Sequence, residues 1–228
     1  MALPIADRVP TAPSPTSPLD QVRERIATAA ARAGRDPADI TLIAVSKRQP
    51  AEAVANLIAA GHRSFGENRV AEAAGKFVGL RERTPDLSLH LVGQLQSNKA
   101  EDAASLFDAI HSVDRSSLVR ALATAGGPVP PCFLQVNIDE EPQKGGCAIE
   151  ALGELLAEAR ESGLPVVGLM SVPPADIEPA PFFALTAELA ARHGLTQLSM
   201  GMSGDFETAI ALGATHVRVG TALFGERA

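Results

Sequence analysis

The chain has no tryptophan and no tyrosine, and its aromatic residues are eight phenylalanines. Any chemistry that needs a phenol from this chain is therefore excluded. Only two cysteines occur, Cys132 and Cys147, too few for a disulfide framework, and no Cys/His spacing resembles a zinc cluster. Both read as reduced thiols. No apolar run approaches the ~18 to 20 residues that a membrane span needs. The opening residues, MALPIADRVPTAPSPTSP, lack the basic-then-apolar order of a signal peptide. The expectation is an intracellular, cytoplasmic protein. Positive charge is also short: 20 Lys and Arg stand against 27 Asp and Glu, a net charge of −7. That is the wrong sign for coating nucleic acid or an anionic membrane, so an anionic ligand would have to be met by local charge.

What is present fits a globular chain of 228 residues, with 46% hydrophobic and 21% charged residues. Five prolines in the first 18 residues read as a disordered tail, and residues 19–228 as one folded domain. Leu19, Val22, Ile26, Ala29 and Ala33 recur at helical spacing, with Gly34 placed as a C-terminal cap. After this helix, short apolar runs alternate with helical segments: TLIAVSK (41–47), SFGEN (64–68), LHLVG (89–93), AIHSVD (109–114), CFLQVNI (132–138), VVGLMSV (166–172), QLSMG (197–201) and HVRVG (216–220). Near-continuously apolar strands separated by helices imply a parallel sheet covered on both faces. Eight such units predict an α/β fold, a single TIM-type (β/α)8 barrel near the small end of its size range. The alternative is an open doubly wound sheet, which the absence of GxGxxG and P-loop patterns disfavours.

In a barrel the reactive groups gather at the C-terminal strand ends. Lys47 follows an apolar strand, where desolvation would favour a neutral, nucleophilic amine; the plainer reading is a lysine reaching for water. SMGMSGD (199–205) sets small residues before a helix, and Ser203 is read as helix N-cap and phosphate donor together. RVGT (218–221) adds backbone donors and a hydroxyl at the adjacent strand end. Arg218, if it faces a ligand, can only donate hydrogen bonds, so a heterocyclic nitrogen opposite it stays unprotonated; otherwise it is the ion-pair partner of a helix carboxylate. His90 is either a polar contact for a ligand or a satisfied core histidine. EEPQKGG (140–146) reads as an exposed loop or a mobile lid.

The motifs AVSK (44–47), FGEN (65–68), HLVGQLQSNK (90–99), HSVD (111–114), QVNI with KGG (135–138, 144–146), GLMSVPP (168–174), LSMGMSGD (198–205) and VRVGTALFGER (217–227) together resemble the pyridoxal phosphate (PLP) homeostasis family. That family is related to the N-terminal barrel of alanine racemase. The resemblance implies PLP bound covalently as a Schiff base on Lys47, its phosphate held by Ser203, Gly220, Thr221 and the backbone around Met202, and its pyridine nitrogen facing Arg218. It also implies that Asn68 and His90 line the cofactor and that Lys144 matches a loop lysine connected with PLP transfer. Where relatives often carry an aromatic after FGEN and a Trp before the third-strand His, this chain has Arg69 and Leu89. The implied function is buffering of PLP and its delivery to PLP-dependent apo-enzymes without catalytic turnover, and the single expected domain suggests a monomer. Racemisation in alanine racemase uses a tyrosine supplied with a second domain, and this chain has no tyrosine. The alternatives are a low-activity amino-acid racemase and a PLP-free, phosphate-binding Schiff-base enzyme.

Overall fold

A computed structural model describes residues 17–141 and 143–225. The first helix, α1 (Pro18–Arg32), starts inside the segment expected to be tail. Pro18 is its first residue, where a missing N–H costs nothing, and the Ser17 hydroxyl accepts from Asp20 N at 3.2 Å. The rest of the expected tail lies outside the described residues. Gly34 caps α1 as expected: at φ 66° it lets Arg35 N reach Ala30 O (2.9 Å) while its own N–H reaches Ala31 O (3.1 Å).

All eight expected strands form: β1 (Thr41–Val45), β2 (Ser64–Glu67), β3 (Ser88–Leu91), β4 (Ala109–Val113), β5 (Cys132–Gln135), β6 (Val166–Met170), β7 (Gln197–Ser199) and β8 (His216–Val219). The helices between and after them are α2 (Ala51–Ala59), α3 (Val70–Arg83), α4 (Ala100–Leu106), α5 (Ser116–Ala123), α6 (Leu152–Glu161), α7 (Ala180–Arg192), α8 (Phe206–Ala211) and α9 (Thr221–Phe224). Every strand pairs in parallel with the next, and β8 returns to pair with β1 through Leu42↔Val217 and Ile43↔Arg218. The sheet is a closed barrel, which rules out the open doubly wound alternative.

Closure makes two packed layers. Between barrel and helices lie residues such as Phe65 of β2 and Phe77 of α3, fully buried with ring centroids 5.6 Å apart. Inside the barrel, His90, His111, Phe133 and His216 form the central layer, His111 stacked on Phe133 at 4.2 Å and 15°. α1 packs its Leu19, Val22 and Ile26 face against α8 and α9, where Arg25 pairs with Glu207 at 2.7 Å. Among the described residues no helix is long and apolar enough to cross a membrane.

Candidate functional site

β1 delivers Lys47 to the barrel mouth by strand alternation: Val45 and Lys47 line a cavity of about 400 Å³, while Ser46 between them points out of the barrel and is fully buried. The backbone turns sharply after the lysine. Arg48 takes φ 60°, a conformation non-glycine residues adopt rarely, and its N–H is held by Glu72 Oε1 at 2.5 Å. Behind the strand end, Ser46 Oγ donates to Glu67 Oε1 (2.7 Å), and Lys76 Nζ donates to Glu67 Oε1 (2.8 Å), to Ser46 O (2.7 Å) and to Glu72 Oε1 (3.1 Å). Burial pushes the Glu67 carboxyl up, against the pull of Lys76 and Ser46. Burial also raises Glu72, but the Arg48 N–H and Lys76 outweigh it and leave that carboxyl below its ordinary value. This support is not visible in the sequence: Glu67 stands there only as one letter of the SFGEN run (64–68), and nothing local ties Lys76 to it.

The opposite wall comes from the ends of β7 and β8. After β7 the chain turns at Gly201, φ 92°, where a Cβ would sit 2.6 Å from Ala209 Cβ; only glycine lets the loop fold back onto α8. Ser203 is not the N-cap of α8, as the sequence suggested. That position belongs to Asp205, whose Oδ1 accepts from Met202 N at 2.5 Å across the loop. Ser203 instead reaches sideways, its Oγ accepting from Gly220 N (3.2 Å) and Ala222 N (3.5 Å). The two loops are thus stitched into one polar cradle with the hydroxyl proton left for another acceptor. Met202, Ser203, Gly220 and Thr221 all line the Lys47 cavity.

Arg218 lines the same cavity although only 5% of it is exposed. Its Nη1 donates to Ser199 Oγ at 2.7 Å and its Nη2 to Ser171 O at 2.9 Å. Burial pulls it down to about 10, partly opposed by Asp205, so it is cationic at neutral pH. Among the described residues it forms no ion pair with a carboxylate, the alternative role the sequence allowed. A buried, carboxylate-free cation with unused donors facing a cavity is costly unless a ligand meets it.

Asn68 completes the wall beside Lys47, and Gly93 fixes it there, since a Cβ on Gly93 would lie 2.4 Å from Asn68 O. His90 is placed differently. Val92 lines the cavity, and His90, two residues earlier on the same face of the chain, lies a layer deeper in the barrel. Its Nδ1 meets His111 Nε2 at 3.0 Å and its Nε2 meets Ser64 Oγ (3.1 Å) and Ser88 Oγ (3.0 Å), the satisfied core histidine of the plainer reading. Lys144 lines a neighbouring cavity of about 260 Å³ that shares Asn68, Val92 and Val172 with the first. It is ion-paired to Asp139 and to Glu141, and these carboxylates raise its pKa against a desolvation that lowers it. Both cysteines are free and buried, and burial pushes Cys132 up to about 12 and Cys147 to about 11. Neither is a nucleophile at neutral pH.

Comparison with known proteins adds a family, two relatives and two solved structures. Residues 18–228 match the family described as alanine racemase, N-terminal domain. The pyridoxal phosphate homeostasis protein of Pseudomonas aeruginosa is 45% identical over 228 residues, covering 92% of this chain and 94% of that protein. The protein of the same name from Escherichia coli K12 is 40% identical over 222 residues, covering 92% and 95%. Among solved structures, PipY of Synechococcus elongatus with PLP bound superposes with a TM-score of 0.75 at 41% identity, covering 90% of this chain and all of that one. Alanine racemase from Corynebacterium glutamicum gives 0.63 at 19% identity over 92% of this chain and 62% of its own, a likeness of fold alone.

Proposed function

Since the chain belongs to the alanine racemase N-terminal-domain family, we propose that it is a PLP-binding homeostasis protein that buffers the cofactor and passes it on without turning over a substrate. The observation that carries the reading is Arg218: a buried guanidinium, unpaired with any carboxylate among the described residues, that opens onto the cavity of Lys47. PLP fits this donor set. Its aldehyde suits Lys47, its phosphate suits the Ser203 hydroxyl and the Gly220 and Thr221 loop, and its pyridine nitrogen suits an arginine that can only donate. Asn68 and Met202 close the sides.

When bound, PLP supplies an aldehyde that condenses reversibly with amines and a ring that can take up electron density. The residues here support the first property and restrain the second. Arg218 has no proton to yield at neutral pH, so a ring nitrogen facing it would stay neutral and be a poor electron sink. The chain also contains no tyrosine to move a proton at a substrate carbon. Every group named lies on one barrel, so a monomer suffices, and we place it in the cytoplasm, where it would hand PLP to apo-enzymes.

The test is borohydride reduction of the protein incubated with PLP, followed by peptide mass mapping, with Lys47→Ala in parallel. A phosphopyridoxyl mass on the Lys47 peptide, lost in the variant, is the expected result. No adduct at Lys47 would overturn the PLP reading and favour a PLP-free phosphate-binding barrel.

A further inference from the structure

A continuous hydrogen-bonded chain runs through the barrel from the cavity to the opposite end: Arg218 Nη1 to Ser199 Oγ (2.7 Å), Ser199 Oγ to His111 Nδ1 (2.8 Å), His111 Nε2 to His90 Nδ1 (3.0 Å), and His90 Nε2 to Ser64 and Ser88 (3.1 and 3.0 Å). Ser64 and Ser88 are the first residues of β2 and β3. His111 and Ser199 are fully buried and His90 is 6% exposed, so unmet donors or acceptors in this chain would be costly.

The polarity of the chain follows from Arg218. Guanidinium only donates, so Ser199 Oγ accepts from it. Among the described residues Ser199 has one other side-chain partner, His111 Nδ1, and its hydroxyl proton must go there or remain unmatched in the core. His111 Nδ1 is therefore an acceptor, and the ring carries its proton on Nε2. That proton is donated to His90 Nδ1, which fixes the His90 proton on Nε2 as well, shared between two serine hydroxyls. Burial, together with His90, His216 and Arg218, holds His111 well below its ordinary value, in keeping with a neutral ring.

We infer that His111 and His90 are positioning residues for the cofactor site, a one-way relay that turns the Ser199 lone pair toward Arg218 and so aims the guanidinium at the pyridine nitrogen. The inference rests on the PLP reading for the nitrogen, but not for the relay itself. His111 is the informative position. Asparagine there offers Oδ1 where Nδ1 stood and keeps the acceptor for Ser199, whereas glutamine places its amide near Nε2 and removes that acceptor. Both lose the ring stacked on Phe133, and glutamine is the closer to histidine in volume, so a merely structural histidine would make glutamine the better tolerated or the two alike, the reverse of what the relay requires.

The experiment is a PLP titration of the full chain and of His111→Asn and His111→Gln, followed by the absorbance of bound PLP, with ¹⁵N-histidine NMR of the PLP-free wild type. Expected are PLP affinity within about twofold of wild type for His111→Asn, about tenfold weaker binding with a displaced absorbance band for His111→Gln, and Nε2–H tautomers at His111 and His90. Equal behaviour of the two variants, or an Nδ1–H tautomer at His111, would overturn the relay. If no protein forms a reducible linkage at Lys47, the PLP reading fails instead, and the tautomers still decide the relay.

Discussion

Glu67 and Lys76 form an ion pair at 2.8 Å with side chains 0% and 8% exposed, and the pair sits behind the strand end that presents Lys47. Such a pair contributes little net stability over an apolar replacement, because both charges have been stripped of water. Its geometry points to another use. Lys76 and Glu67 together hold the carbonyl and the hydroxyl of Ser46, the residue before Lys47. One Glu67 oxygen, Oε2, is buried with no partner, so the carboxylate has little reserve if its cation is removed.

Lys76→Met should therefore destabilise the protein by about 3 to 5 kcal/mol, the cost of leaving a buried carboxylate uncompensated. The double variant Glu67→Gln/Lys76→Met should recover most of that loss. Urea unfolding of the three proteins checks both statements. A single variant within ~1 kcal/mol of wild type would show that Glu67 takes up a proton once Lys76 is gone, or that water reaches it, rather than staying a bare buried carboxylate.

The barrel was legible because its signal is repetitive: eight apolar β-prone runs, each followed by a segment of helical composition, leave few other topologies. That Lys47, Arg218 and the two loops meet on one cavity was legible because a barrel gathers its strand ends, whereas Asn68 was singled out by the resemblance. What was not legible depends on the layer in which a side chain lies. His90 sits one strand alternation below Val92, and only the register shows that this puts it under the cavity floor rather than in the wall. Lys76 is 30 residues from the Ser46 carbonyl it holds, a distance closed by β2 and α3 packing together. The N-cap of α8 fell on Asp205 rather than Ser203 because Ser203 is drawn toward the Gly220 N–H, a tertiary contact that outweighs a local preference.

Ser203→Ala should weaken PLP binding about tenfold or more, the effect of removing a hydrogen bond to a charged group. The same variant should leave binding of pyridoxal, which lacks the phosphate, within about twofold. Titrating wild type and variant with both ligands separates the contributions. Equal losses for the two would place Ser203 against another part of the cofactor.

Arg218→Met should divide function from stability. The arginine gives up hydration for two hydrogen bonds and, among the described residues, no carboxylate partner, so the desolvation relieved by its removal should largely offset the Ser199 and Ser171 acceptors left unmet, and the PLP-free protein should stay within about 2 kcal/mol of wild type. PLP binding should fall by at least tenfold, because the group facing the ring nitrogen is gone. Thermal unfolding without PLP and equilibrium titration with it are the two measurements. A PLP-free variant that melts well below wild type would mean that Arg218 holds β6 and β7 together in its own right.

Acid should unfold this protein earlier than its carboxylates alone require. Burial lowers His62 to about 4, with Arg23 and Arg63 adding to the effect and the Ser64 carbonyl opposing it. It lowers His90 to about 3, helped by His216 and Arg81, and His216 to about 4, helped by Arg218. Their unfolded value is about 6.5. Between pH 6.5 and 4 the unfolded chain thus binds protons that the folded one refuses, and stability falls as pH falls across that window. Each such histidine adds up to about 1.4 kcal/mol per pH unit to the slope. Glu67 works in the opposite sense: its raised carboxyl keeps a proton in the fold, so its contribution is lost as pH rises above 4.5. The buried histidines outnumber it, and the net slope should be positive. Urea unfolding at intervals from pH 7.5 to 4.5 measures it, with His62→Gln as the control, because the glutamine amide can replace the donation of His62 Nε2 to Ser64 O at 2.7 Å without titrating. That variant should flatten the slope below pH 6. An unchanged slope would remove His62 from the account and leave the acid sensitivity to the histidines inside the barrel.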